Sequence, residues 1–222
     1  MNHYFTNETL GSKINTITFI INNRKYELLT DNGVFSKKGL DFGTRTLLES
    51  LDLKYIKGNV LDIGCGYGPI GIYIKSNTDC NVDMTDINKR SLHLAKLNAK
   101  SNKVDVNIFE SDAYTNITKK YNFIITNPPV RVGKKILYEI LFKAKEHLEK
   151  NGELLLVISK DQGAKSLIKD LEKEYTVSVI NKNKGFYIIK AIFNWHIDMY
   201  LLKLYIGGMY ILLHAINSYN SL

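Results

Sequence analysis

The run Val60-Leu61-Asp62-Ile63-Gly64-Cys65-Gly66-Tyr67-Gly68-Pro69-Ile70-Gly71 restricts the possible folds of this chain more than any other stretch. It reads as a buried strand entering a glycine-rich turn and then a helix. Glycine needs no Cβ clearance and tolerates positive φ, so such a turn lets backbone approach a ligand closely. A strand that must leave a sheet this way belongs to alternating strand and helix units.

The remainder of the chain supplies those units. Strand-like runs are Val60–Ile63, Val82–Thr85, Val104–Phe109, Phe123–Thr126, Leu154–Ile158, Thr176–Ile180 and Phe186–Ile192, with helices expected over Asn88–Ser101, Lys134–Lys150 and Gln162–Lys173. The alternation predicts an α/β fold with a seven-stranded, mostly parallel sheet covered by helices on both faces. Residues Asn181 to Gly185 are too short a link for a crossover helix, so the last strand is expected to be antiparallel. Helix Lys134–Lys150 carries an apolar stripe at Ile136, Leu137, Ile140, Leu141, Ala144 and Leu148, and Asn151-Gly152 should stop it. Ahead of this unit, Thr16–Ile21 and Tyr26–Thr30 are β-rich and joined by Asn22-Asn23-Arg24-Lys25, which predicts an N-terminal β-hairpin. The domain is expected over residues 1–193, with 1–40 as a hairpin extension. Residues 194–222 form an apolar tail whose segment from Met199 to Ala215 is interrupted by Lys203 and Gly207-Gly208, so no membrane span is expected.

Composition narrows the setting. The 222 residues are 45% hydrophobic and 23% charged, as in an ordinary globular domain. The formal charge of +8, from 30 Lys+Arg against 22 Asp+Glu, favours polyanionic partners through counterion release. Cys65 and Cys80 are too few for a disulfide framework, and the start lacks the plan of a signal peptide, so a cytoplasmic location is expected. The five scattered histidines suggest neither a metal site nor a triad.

Gly66, Gly68 and Gly71 satisfy a dinucleotide-binding pattern as written, but that pattern wants its first glycine directly after the strand. Here that glycine is Gly64, for which the third position would be Pro69. With Asp62 two residues before Gly64, the stretch instead resembles the first motif of class I S-adenosylmethionine-dependent methyltransferases, which have a Rossmann-like fold. The likeness implies that Gly64, Cys65, Gly66 and Gly68 wrap the methionine end of S-adenosyl-L-methionine and that Asp62 orients its ammonium group directly or through water. Asp86, beside Ile87 at the end of the second strand, is placed to accept from both ribose hydroxyls, or else caps the next helix. Asp83, earlier in that strand, reads as a surface residue. After the third strand the family places an acceptor for the adenine amino group, here Asp112, with Ala113 beside it.

Tyr121-Asn122-Phe123-Ile124-Ile125-Thr126-Asn127-Pro128-Pro129-Val130 ends a buried strand at the carboxyl edge of the sheet, where open α/β folds bind ligands. An exocyclic amine on a nucleobase is a poor nucleophile because its lone pair is delocalised. The Asn127 side-chain oxygen and the Pro128 carbonyl can accept its two N–H protons and aim the lone pair at a methyl carbon, while Pro128 and Pro129, with fixed φ, hold that carbonyl. Alignment and electrostatics then do most of the catalysis, with no general base or metal. Amino methyltransferases often place an aromatic after Pro-Pro to stack on the base. This chain has Val130, and Phe35 is the candidate substitute.

Together with Gly33-Val34-Phe35-Ser36 and Leu40-Asp41-Phe42-Gly43-Thr44-Arg45-Thr46-Leu47-Leu48-Glu49, these motifs resemble the small-methyltransferase-domain family, which includes ribosomal RNA small-subunit guanine-N2 methyltransferases. The resemblance runs from about Tyr4 to Phe193. It implies that Gly43-Thr44-Arg45 closes over the methionine moiety, with Thr44 or Arg45 near its carboxylate; the alternative is a helix starting near Thr44. It further implies methylation of an exocyclic amine of RNA, guanine N2 of small-subunit rRNA foremost, with rRNA or an assembling small subunit as partner. Adenine N6 and a protein glutamine amide present the same NH₂ geometry, and a non-catalytic cofactor-binding module that holds RNA or protein is the reading from another class. Arg131, Lys134 and Lys135 would border the site and contact phosphate. Lys37-Lys38 and Lys119-Lys120 read as solvated, and Cys65 as loop packing.

Overall fold

The computed structural model describes residues 11–36, 39–129 and 133–194 and two short strands at 205–206 and 209–210. In chain order the elements are β1 (Asn15–Ile21), β2 (Arg24–Thr30), α1 (Phe42–Ser50), β3 (Asn59–Ile63), α2 (Pro69–Asn77), β4 (Asn81–Asp86), α3 (Lys89–Ser101), β5 (Asn107–Glu110), β6 (Tyr121–Thr126), α4 (Lys134–His147), β7 (Leu148–Ser159), α5 (Ala164–Leu171), β8 (Tyr175–Asn183), β9 (Phe186–Phe193), β10 (Tyr205–Ile206) and β11 (Met209–Tyr210). Seven strands form one sheet in the order β5-β4-β3-β6-β7-β9-β8. The pairs from β5 to β7 are parallel, whereas β9 is antiparallel to both β7 and β8. The α/β class, the strand count and the antiparallel last strand are thus as expected, and that strand is inserted one place in from the edge.

Both faces of the sheet are covered, which is why its central strands are near-continuous apolar runs. Val60, Phe123, Ile125, Leu155 and Val157 pack with Leu47 and Leu48 of α1, Ile72 and Ile74 of α2 and Leu94 of α3. Leu61, Ile124, Leu154, Leu156 and Ile158 point the other way, onto Leu137, Ile140, Leu141 and Ala144 of α4 and Leu167 and Leu171 of α5. The β1–β2 hairpin joins the first layer through Ile17, Phe19, Ile21, Tyr26 and Leu28. Buried Asn98 of α3 fixes it there, bonding Leu29 N–H (2.7 Å) and Leu29 C=O (2.9 Å) and donating to Tyr67 C=O in the glycine turn (2.9 Å).

Several boundaries differ from the expectations. The first hairpin turns on Asn22-Asn23 alone, both at positive φ, and Arg24 already pairs with Ile21. Asparagine tolerates this conformation, which matches strand twist in two-residue turns. Helix α4 ends at His147, earlier than Asn151, because Leu148 is extended and pairs with Tyr121. The expected Gln162 helix starts after Gly163, which stands at φ 86°. The third strand occupies Asn107–Glu110 in place of Val104–Phe109, since Lys103 at φ 55° delays it. Asp83 is buried, contrary to expectation. It accepts from Tyr121 Oη (2.6 Å), lies 2.9 Å from Lys119 Nζ and is within 3.4 Å of Asn107 Nδ2, so Lys119 is not a freely solvated lysine. Lys37 and Lys38 and most of the tail lie outside the described residues.

Candidate functional site

Strands β3, β4 and β6 end at the same edge of the sheet, and the turns that follow them converge. Thr126 Oγ1 donates to Ile63 C=O (2.8 Å), Cys65 N–H to Thr85 C=O (2.8 Å) and Ser111 N–H to Asp86 C=O (3.1 Å). The glycine turn and the Asn-Pro-Pro turn face each other closely: a Cβ built on Gly64 would stand 4.0 Å from Pro129 Cδ. Gly64 and Gly66 are at φ 71° and 57°, and a Cβ on Gly66 would meet nothing within 4 Å. Backbone shape, not crowding, selects glycine at Gly66, and open space lies over it. Gly71 is different, since its Cβ would fall 2.5 Å from Met84 Cγ, so glycine there lets α2 pack on β4.

Two carboxylates flank this turn. Asp62 is fully buried; its Oδ2 accepts from Gly71 N–H (2.8 Å) while Oδ1 has no partner. Burial is the main reason its carboxyl is pushed up to about 7, with Asp86 adding repulsion against the single helpful N–H. An orphaned, buried acceptor in an open turn needs a donor from outside the chain. Asp86 clasps the turn from the other side, accepting from Gly66 N–H (2.8 Å) and Asn88 N–H (2.8 Å), and its carboxyl is likewise raised by desolvation. The helix cap that competed with Asp86 is Asn88, whose side chain accepts from Arg90 and Ser91 N–H. The Ile87 N–H bonds this carboxylate as well, and acceptor capacity remains on it for a ligand hydroxyl. Ile87 is exposed beside it. The Cys65 thiol is buried and pushed up by desolvation and then by Asp62 and Asp86, so it stays neutral. Across the edge, Asp112 is exposed and Ala113 half-buried, in a turn held by Ser111 Oγ bonding Ala113 C=O (2.8 Å).

On the Asn127 side, Asp41 is the residue that sequence reading missed. It caps α1, accepting from Thr44 N–H at Oδ2 (3.0 Å). The same Oδ2 accepts from Asn127 Nδ2 (3.0 Å), and Nδ2 also reaches Thr44 Oγ1 (2.8 Å). A carboxylate only accepts, so the amide must present its NH₂ to Asp41, which leaves its Oδ1 turned away and open to a donor. The signal was available in sequence as a Asp41-x-x-Thr44 cap, but nothing local says that the cap also holds a residue 86 positions away. Thr44 therefore faces the Asn-Pro-Pro turn, while Arg45 turns outward to Ile20 C=O (2.8 Å) and Glu49 (3.3 Å). Helix α1 starts at Phe42, two residues ahead of Thr44, so Gly43 and Thr44 lie in its first turn and its cap Asp41 bonds Asn127.

The other expected residues are more dispersed. Phe35 is exposed on the loop ahead of Asp41. Lys134 and Lys135 begin α4 on the surface, with Lys134 3.9 Å from Asp170 and 4.6 Å from the Tyr138 ring centroid. Val130 and Arg131 lie outside the described residues.

The family model for the methyltransferase small domain matches residues 25–190, which include both turns. The chain belongs to this family. This methyltransferase-domain chain is 43% identical over 195 residues to the uncharacterized Bacillus subtilis protein YbxB, covering 85% of this chain and 97% of that one. It is 37% identical over 157 residues to ribosomal RNA small subunit methyltransferase C of Psychromonas ingrahamii, covering 68% of this chain and 45% of the relative, so it spans less than half the length of that protein. Among solved structures, a T. thermophilus 16S rRNA N2 methyltransferase in complex with AdoMet and guanosine matches with a TM-score of 0.74 at 22% identity, over 84% of this chain and 52% of the other. A ribosomal protein L11 methylase from Lactobacillus delbrueckii subsp. bulgaricus matches with a TM-score of 0.58 at 22% identity, over 72% and 87%. At these identities both structural matches speak for the fold.

Proposed function

We propose that the chain is an S-adenosyl-L-methionine-dependent N-methyltransferase acting on an exocyclic amino group of RNA, with guanine N2 of small-subunit rRNA as the target. The observation that carries this reading is the anchored Asn127 amide, whose NH₂ is held by Asp41 and Thr44 while its oxygen is left as an oriented acceptor. The rRNA methyltransferases among the relatives, and the guanosine bound by the T. thermophilus enzyme, support the choice of target.

The residues present fit the cofactor. Gly66 leaves open space beside the strand end, and the orphaned Asp62 Oδ1 suits an ammonium group. Gly64, Cys65, Gly66 and Gly68 form the backbone cradle, with Gly43 and Thr44 opposite. Asp86 and Ile87 hold the ribose, and Asp112 and Ala113 hold the adenine. When bound, the cofactor supplies an electrophilic methyl group.

Asn127 Oδ1 and the Pro128 carbonyl accept the two N–H protons of the substrate amine, which directs its lone pair toward the cofactor side. Pro129, next to Gly64, sets the spacing of the two turns. As the new C–N bond forms and the S–CH₃ bond of the sulfonium breaks, with the electron pair staying on sulfur to leave a neutral thioether, nitrogen becomes positively charged, and these two acceptors stabilise that charge before one proton leaves to water. Lys134 and Lys135, at the start of α4, contact phosphate, and Phe35 meets the base. The test is incubation with methyl-labelled cofactor and undermethylated small subunits, free rRNA, DNA or cell protein, followed by digestion and mass spectrometry. Label recovered as N2-methylguanosine from small-subunit rRNA is expected; label in adenine or glutamine, or none, would overturn the assignment.

A further inference from the structure

The β8–β9 hairpin is not explained by packing alone. Its two-residue turn is Lys184-Gly185, at φ 44° and 84°, where Asn-Gly is the favoured pair. A lysine held in the left-handed region costs on the order of 1 kcal/mol, and proteins tend to break local rules of this kind where a side chain is wanted. The register shift between Val179 and Asn181 is a bulge, a device that re-aims a strand end. The hairpin projects from the same edge as the site: Phe186 pairs with Ser159, the last residue of β7, and Lys160 N–H donates to Gly185 C=O (2.7 Å).

Its root touches the machinery around Asn127. A Cβ on Gly43 would lie 2.9 Å from the Phe186 ring and 3.0 Å from Asp41 Oδ2. Phe186 and Phe42 are in tilted contact, ring centroids 5.5 Å apart. Residues Asn181 to Gly185 are all exposed and contain two lysines and no carboxylate. Lys184 Nζ lies 5.4 Å from the Phe42 ring centroid and Lys182 Nζ 5.0 Å from that of Tyr187, and neither lysine is in an ion pair among the described residues.

We propose that this hairpin is the arm that holds the RNA substrate, with Lys182 and Lys184 on backbone phosphates and the Phe42 and Phe186 rings beside them guiding the strand to Asn127. This rests on the RNA reading given above. A basic, carboxylate-free tip is complementary to phosphate, and phosphate contacts set register without reading sequence.

The probe is a fluorescein-labelled single-stranded RNA oligonucleotide, titrated with the full chain over a range of salt. Each lysine–phosphate contact on a single strand contributes about 0.7 to the slope of log affinity against log salt. The double substitution Lys182→Gln/Lys184→Gln is therefore expected to lower that slope by about 1.4 and weaken binding roughly tenfold at low salt. Lys96→Gln/Lys100→Gln on α3, which removes equal charge near the opposite edge, should change neither. A second variant keeps the test independent of folding: Lys184→Asn suits the turn better, so it should raise Tm by about 2 °C while still weakening binding. An unchanged slope in the hairpin variant, or an equal loss in the α3 variant, would overturn the proposal. If RNA is methylated normally by the hairpin variants, the arm is wrong and the methyltransferase reading stands. If binding depends on the two lysines but no RNA is methylated, the arm stands and that reading falls.

Discussion

The turns after β3 and β6 leave neighbouring strands at one edge of the sheet, yet they are finished in opposite ways. The glycine turn ends with a shortage: a buried carboxylate with one unpartnered oxygen and open space above Gly66. The Asn-Pro-Pro turn ends with its donors consumed, both Asp41 and Thr44 taking the Asn127 NH₂. A binding surface is built by leaving a charge that only a ligand can satisfy. A reacting surface is built by fixing one acceptor so that it need not reorganise when charge develops. In the function proposed above, binding and activation belong to different turns, and they should be separable.

The largest separation is expected from Asn127→Ala. Losing an oriented partner of developing charge lowers kcat by roughly 100- to 1000-fold, while calorimetric cofactor affinity should stay near wild type. If affinity falls with kcat, the division between the turns is broken.

Asp41 sharpens the comparison, because its cap and its hold on Asn127 can be pulled apart. Serine caps helices about as well as aspartate but is too short to reach Asn127. Asp41→Ser should keep Tm within a few degrees yet lower kcat roughly tenfold to 100-fold, the scale of a small misplacement of a reacting group. Asp41→Asn, able both to cap and to accept, should restore most of it. Equal activity in the two variants would make Asp41 a cap only.

Smaller still is the pH dependence expected of the glycine turn. Asp62 is raised from 3.8 to about 7 in the folded chain, so the fold binds a proton that the unfolded chain releases. Its contribution to stability is present below pH 3.8 and lost as pH rises to about 7, a change of about 4 kcal/mol. Thermal melts of the unliganded chain should show Tm falling over that window, and Asp62→Asn should flatten the trend. A bound ammonium favours the carboxylate, so cofactor affinity should run the other way, weakening by up to about tenfold per pH unit below 7. Affinity independent of pH would mean that Asp62 does not meet the cation.

Much of the comparison was legible in the sequence, and the missing part has a physical pattern. Both turns announce themselves locally, through glycines after Asp62 and through Asn127-Pro128-Pro129, and the apolar runs gave away a sheet buried on two faces. The short link before Phe186 announced the antiparallel strand, although the turn itself narrowed to Lys184-Gly185. What stayed hidden depends on distant partners. Asp41 looks like an ordinary helix cap until α1 docks beside β6. Asp83 looks like the outward residue of a strand until Tyr121 and Lys119 arrive from the far side of the chain to bury and pair it. The early start of β7 at Leu148 likewise depends on pairing with Tyr121, which no local pattern encodes.

The most direct test of the division of labour measures cofactor affinity and single-turnover methylation together in Asn127→Ala and Asp62→Asn. The expected result is a crossed pattern, with Asn127→Ala losing rate and keeping affinity, and Asp62→Asn losing affinity while its rate at saturating cofactor stays within a few-fold of wild type. Rate and affinity moving together in both variants would contradict it.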